Sequence, residues 1–121
     1  MEVVNAKITR ADLSMADHGV LCYYLTLEGR GFGCNYGGRV IGKGYLGAKH
    51  FKGSEKGIEA IMRIMDTVGV ENWNDLKGKY VRAVLNGWGS PIDKIGNIIE
   101  DKWFDQEEFF SEKEQRGTFD E

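Results

Sequence analysis

Four side chains in this sequence have the types and settings that grip an anion or a nucleobase. Trp88 stands in "NGWGSPID", where flanking glycines make a turn and put a flat ring at its tip. Such a ring is a stacking platform for a base or a contact for another subunit, unless it folds back over the edge of a sheet. Arg63, in "AIMRIM", carries a guanidinium that can fork two hydrogen bonds to a phosphate or pair with Glu59 or Asp66 on its own helix. Asn97, in "KIGNIIED", alternates with Ile95 and Ile99, so its amide lies on a partly apolar face. That amide must be satisfied, either by an adenine edge or by neighbouring backbone. Arg116, beside Gly117 in the C-terminal tail, is a cation able to close over a bound anion or to do nothing specific.

Reactive groups are scarcer. The two histidines, His18 and His50, fall in separate predicted loops. Neither Cys22 nor Cys34 has a partner at a Cys-x-x-Cys or zinc spacing, so both are expected as buried free thiols. Ser54 reads as a helix cap and Ser90 as a turn residue. Glu100 and Asp101 offer adjacent carboxylates to a cation, or simply end a strand. The expectation is a binder with no catalytic residue, no metal and no cofactor.

The elements that must position these residues begin with a glycine-rich segment. "GRGFGCNYGG", residues 29 to 38, contains five glycines. A dinucleotide-binding fingerprint needs a third glycine where Tyr36 stands, and a helix that does not begin here. The segment is instead a strand with Phe32, Cys34 and Tyr36 on one face and almost no side chain on the other. Its bare face should approach a helix, another subunit's backbone or a ligand. Val4, Ala6 and Ile8 set a first strand, and "VLCYYLTLEG" a second that is apolar on both faces.

The clearest helix runs from the Ser54 cap to Gly69, with Ile58, Ile61, Met62, Met65 and Val68 as its buried stripe. "KYVRAVLNG" and "DKIGNIIED" give two further strands, and an acidic helix and tail occupy about 105–121, anchored by Phe109 and Phe110. The reading is α+β: one domain over 1–121, with a mostly antiparallel sheet of about five strands, one main helix and a short C-terminal helix.

With 121 residues and a formal net charge of -3, the chain can bury a core but lacks the basic face of a duplex-binding protein. No apolar run has the length of a membrane span, and the N-terminus does not read as a signal peptide, so a cytoplasmic protein is expected.

The order "ITR…DHGVL…YLTLEGRGFGCNYGG", then "GIEAIMRIMDTVGVENWNDLKGKYVRA", then "IGNIIEDKWFD", resembles small proteins of Firmicutes phages and prophages, within them the Thoeris anti-defence sponge family. The likeness covers residues 3 to 110 or so. It implies a protein that binds the cyclic ADP-ribose isomer made by TIR-domain proteins and sequesters it uncleaved in the host bacterial cytoplasm. It also implies dimers assembled into larger homo-oligomers with pockets between protomers, and cyclic oligonucleotides held at separate sites by some members. Carried over, the pocket set is Arg63, Trp88, Asn97 and Arg116. Two readings of other classes stand beside it. One is a protein-directed inhibitor of a host nuclease whose acidic tail mimics nucleic acid; the other is a small phosphoesterase.

Overall fold

The structure, a computed structural model, describes residues 2–44, 47–87 and 89–114, the side chains of 17 and 112–114 excepted. Trp88 and Arg116 therefore lie outside the described residues. Strand β1 spans Glu2–Asp17 and turns through His18 and Gly19, both at positive φ, into β2, Val20–Gly29. Gly31, with φ +79°, closes the hairpin to β3, Phe32–Lys43. Then come β4 (Lys52–Gly53), helix α1 (Glu55–Val68), a short 3-10 turn at Trp73–Leu76, β5 (Tyr80–Leu85), β6 (Lys94–Asn97), β7 (Trp103–Asp105) and helix α2 (Gln106–Glu114). The strands form one sheet in the order β4-β3-β2-β1-β5-β6-β7, every neighbouring pair antiparallel.

The fold is α+β, with seven strands among the described residues where the sequence suggests about five. One addition is the two-residue β4. The other is β7, which lies beyond the expected strand segment "DKIGNIIED". Oδ1 of Asn97 accepts hydrogen bonds from the backbone N–H groups of Ile99 and Glu100, both at 2.8 Å. This side-chain-closed turn stops β6 at Asn97, and the chain returns as β7.

Period-two alternation puts Ala6 and Ile8 of β1, Tyr23, Leu25 and Leu27 of β2, Tyr36 of β3, Val81 and Ala83 of β5, Ile95 of β6 and Phe104 of β7 in one core. The sheet is strongly curled. The hydroxyl of Tyr36 lies 3.5 Å from the carbonyl oxygen of Phe104, although four strands lie between β3 and β7 in the order. Helix α1 packs across the open side, against β3, β6 and β7.

The buried face of α1 is only in part the stripe its sequence suggests. Lys56, Gly57, Ala60, Ile64 and Thr67 are buried, whereas Ile58 and Met62 are 54% and 63% exposed. The cause is a close approach: a Cβ on Gly57 would fall 2.5 Å from Cβ of Ile41 and 2.7 Å from its Cα. Small residues let the helix sit almost on the backbone of β3, and that seating turns Ile58 and Met62 outward, while Ile61 and Val68 of the expected stripe pack partly buried against the core. The predicted ends are correct. Ser54 accepts a hydrogen bond from Gly57 N–H at 2.9 Å, and Gly69 takes φ +95° with its N–H on Met65 O.

Helix α2 is docked, as expected, through Phe109 and the half-buried Phe110, and its root is tied by polar groups. The Tyr23 hydroxyl donates to Oε1 of Gln106 at 2.6 Å, and Gln106 Nε2 donates to Asp93 Oδ1 at 3.2 Å. Arg39 pairs with Glu107. Lys56 Nζ, on a residue only 5% exposed, donates to the Phe109 carbonyl at 2.9 Å and lies over that ring. No helix among the described residues is long and apolar enough to cross a membrane.

Candidate functional site

Arg63 lies on the outer side of α1. Its guanidinium donates to Glu59 Oε2 from Nε at 2.7 Å, and its centre lies 5.5 Å from the Phe109 ring centroid. The pairing with Glu59 is one of the two alternatives open to it from sequence. Both side chains remain substantially exposed, at 56% and 38%. Ile58 and Met62 of the same helix are exposed as well.

Asn97 stands one turn further along, where the end of β6 meets the end of α1. Its Nδ2 donates to Thr67 O at 2.9 Å and reaches Val68 O at 3.4 Å. With Oδ1 engaged in the turn described above, both halves of the amide already have backbone partners. This side chain satisfies carbonyls at the helix C-terminus that α1 cannot satisfy itself. Beside it lies an open hollow that also meets Tyr80, Ile98 and Ile99.

Sequence reasoning missed the brace behind this corner. Arg82 donates from Nε to Asn97 O and from a terminal nitrogen to Glu100 O, both at 2.7 Å. Its guanidinium lies 4.4 Å from the centroid of Trp103. That indole lies flat over Gly96, where a Cβ would fall 2.4 Å from the ring, and Nε1 donates to Asp101 Oδ1 at 2.6 Å. Asp101 thus holds a tryptophan, and Glu100 lies 4.0 Å from Lys102 Nζ. Among the described residues no cluster of three His, Cys, Asp or Glu side chains is placed to hold a metal ion. A glycine flanked by two aromatic or cationic strands was the available signal for the brace.

The bare glycine face resolves into separate causes. Gly37 sits at φ +117° with a phantom Cβ 2.5 Å from Tyr23 O, so the bulge there demands glycine. Gly33 has no such need: its Cβ would meet nothing closer than 3.9 Å. Gly31 and Gly33 instead border a cleft of about 960 Å³ at the margin of the sheet. Its walls come from the start of β1 (Glu2, Val4), the β2–β3 turn and first residues of β3 (Arg30 to Cys34), Leu85 of β5, and the connection through Gly87, Gly89, Ser90, Pro91 and Ile92. Two glycine-rich segments far apart in sequence therefore face one space.

Cys34, expected to be buried, is half-buried in this cleft, and burial raises its thiol pKa. Cys22 is buried, and neither cysteine is in a disulfide. His18 lies in the β1–β2 turn and His50 in the loop before β4. No family model, curated protein or solved structure matches the chain.

Proposed function

We propose that the protein is a phage or prophage anti-defence binder that holds a cyclic ADP-ribose isomer and withholds it, uncleaved, from a host effector. The resemblance in motif order supports this reading. One structural observation carries it: Arg63 is exposed on a helix that also exposes Ile58 and Met62, offering a cation for a pyrophosphate and, on another part of the same helix, apolar surface that a second copy would cover. The i,i+4 pair with Glu59 is exposed and worth only about 0.3–0.5 kcal/mol, so a phosphate displaces it at little cost. Asn97 joins the pocket if the adenine takes over its amide from Thr67 and Val68, and Trp88 and Arg116 complete the set. Stacking and charge neutralisation are enough for sequestration, and no residue is assigned the role of nucleophile or base. The homo-oligomer, with its pocket between protomers and its place in the host cytoplasm, belongs to the same proposal.

The test is a thermal-shift titration with cyclic ADP-ribose isomers, followed by heat denaturation and chromatography of the released nucleotide. A binder gains stability with the logarithm of ligand excess over Kd. Arg63→Ala should remove the shift, and the nucleotide should return intact. Consumption of the nucleotide, or no shift with any isomer, overturns the reading.

The nuclease-inhibitor reading draws on the exposed Glu108 of α2, whereas Glu107 is already neutralised by Arg39. Truncation cannot separate the two readings, because it would also remove the buried Gln106 and Phe109. Glu108→Lys can. It should abolish nucleic-acid mimicry and leave nucleotide binding unchanged.

A further inference from the structure

The cleft at the margin of the sheet combines three features. Its floor is apolar: Val4, Phe32, Cys34 and Leu85 occupy core-facing positions of their strands yet remain only half-buried, and Ile92 is buried beneath them. Strand alternation thus continues the core to the margin, where nothing among the described residues covers it. Its size, about 960 Å³, lies within the span typical of small-molecule sites, roughly 300–1,000 Å³. Its rim carries two charges, Arg30 and Glu2, and neither has an ion-pair partner among the described residues.

We propose that this cleft binds a small amphiphilic anion, its apolar body on Val4, Phe32, Leu85 and Ile92 and its charged head at Arg30. An apolar floor removes hydrocarbon or ring surface from water, and the Cys34 thiol, its pKa raised by burial, keeps that floor uncharged at neutral pH. An unpaired guanidinium at the edge then selects the sign of the head group, because Arg offers a fork of donors and cannot be deprotonated. Glu2 opposes the same anion, so the two rim charges should act in opposite directions. No residue of α1 lines this cleft, and its test does not depend on the function proposed above.

The probe is decanoate, titrated into the full chain while backbone amide resonances are followed by NMR. Shifts should concentrate at Phe32, Cys34, Leu85 and Ile92. Arg30→Gln should weaken binding about tenfold, the loss expected for a charge-assisted hydrogen bond. Glu2→Gln should strengthen it, decylammonium should bind more weakly than decanoate, and Arg63→Ala should change nothing. Arg30 is exposed in a hairpin turn, so its substitution leaves the fold in place, and an unchanged amide spectrum of the free variant verifies this. The proposal is overturned if shifts centre on Ile58 and Met62 instead, if Arg30→Gln binds as tightly as the parent chain, or if decylammonium binds as well as decanoate.

Discussion

Two margins of the same core are finished in different ways. At the root of α2, Tyr23, Asp93 and Gln106 satisfy one another, Arg39 meets Glu107 and Asp93, and Lys56 meets the Phe109 carbonyl. At the cleft, Arg30 and Glu2 have no such partners among the described residues, none of which covers the half-buried apolar floor. A buried polar group costs free energy unless it is paired, so the first margin is closed by its own chain. The second margin costs little while water covers its charges, and it remains available for recognition. The same contrast runs through α1, whose inner face is seated on β3 while its outer face leaves Ile58 and Met62 to solvent.

The sharpest way to break this contrast is to disturb the finished margin. Phe109→Ala removes a buried ring packed edge-on against Phe110 and tilted against Phe104, and should cost about 3–5 kcal/mol in denaturant unfolding. Gly57→Val forces a side chain into Ile41 and should cost about 1–3 kcal/mol, more than any gain in helix propensity returns. Met62→Ser, on the outer face of the same helix, should stay within about 0.5 kcal/mol. If Gly57→Val is neutral while Met62→Ser is costly, the assignment of the two faces is reversed.

Asn97→Ala is of intermediate size. It leaves Thr67 O and the N–H groups of Ile99 and Glu100 to find water, and should cost about 1–2 kcal/mol. A silent Asn97→Ala would mean that the amide is not needed for the fold and is free to serve a ligand, which would sharpen the role proposed for it.

The degree to which the fold was legible follows the range of each interaction. The limits of α1 were readable because Ser54 and Gly69 act on backbone within a turn of themselves. The strand faces of β1 and β2 were readable because alternation is local. The buried face of α1 was only partly so, since hydropathy favours Ile58 and Met62 and only the contact of Gly57 with Ile41, on another element, overrules it. The early end of β6 depended on one Asn97 side chain bonding its own backbone, a choice that "KIGNIIED" leaves open. Of the candidate site, Arg63 and Asn97 were located correctly on helix and strand. The cleft could not be foreseen, because its walls come from the start of β1, residues 30–34, Leu85, Gly87 and residues 89–92, brought together by the pairing of β1 with both β2 and β5.

The smallest effect concerns the one exposed charge that closes α2. Arg39 lowers the carboxyl pKa of Glu107, first through their hydrogen bond, then with help from Ser111 and from the guanidinium's charge. A folded-state pKa below the unfolded one means that the contribution is complete above the unfolded carboxylate value. It is lost as pH falls through the folded value. At neutral pH, Glu107→Gln should therefore loosen α2 slightly, seen as shifts of the Phe109 and Phe110 amide resonances. As the solution is acidified, Glu107 becomes neutral and the parent chain should converge on the variant. Because the pair is exposed, high salt should shrink the difference as well. Coincidence of the two chains already at neutral pH would show that α2 is held by its rings, Lys56 and Gln106, and that the Arg39–Glu107 pair contributes nothing.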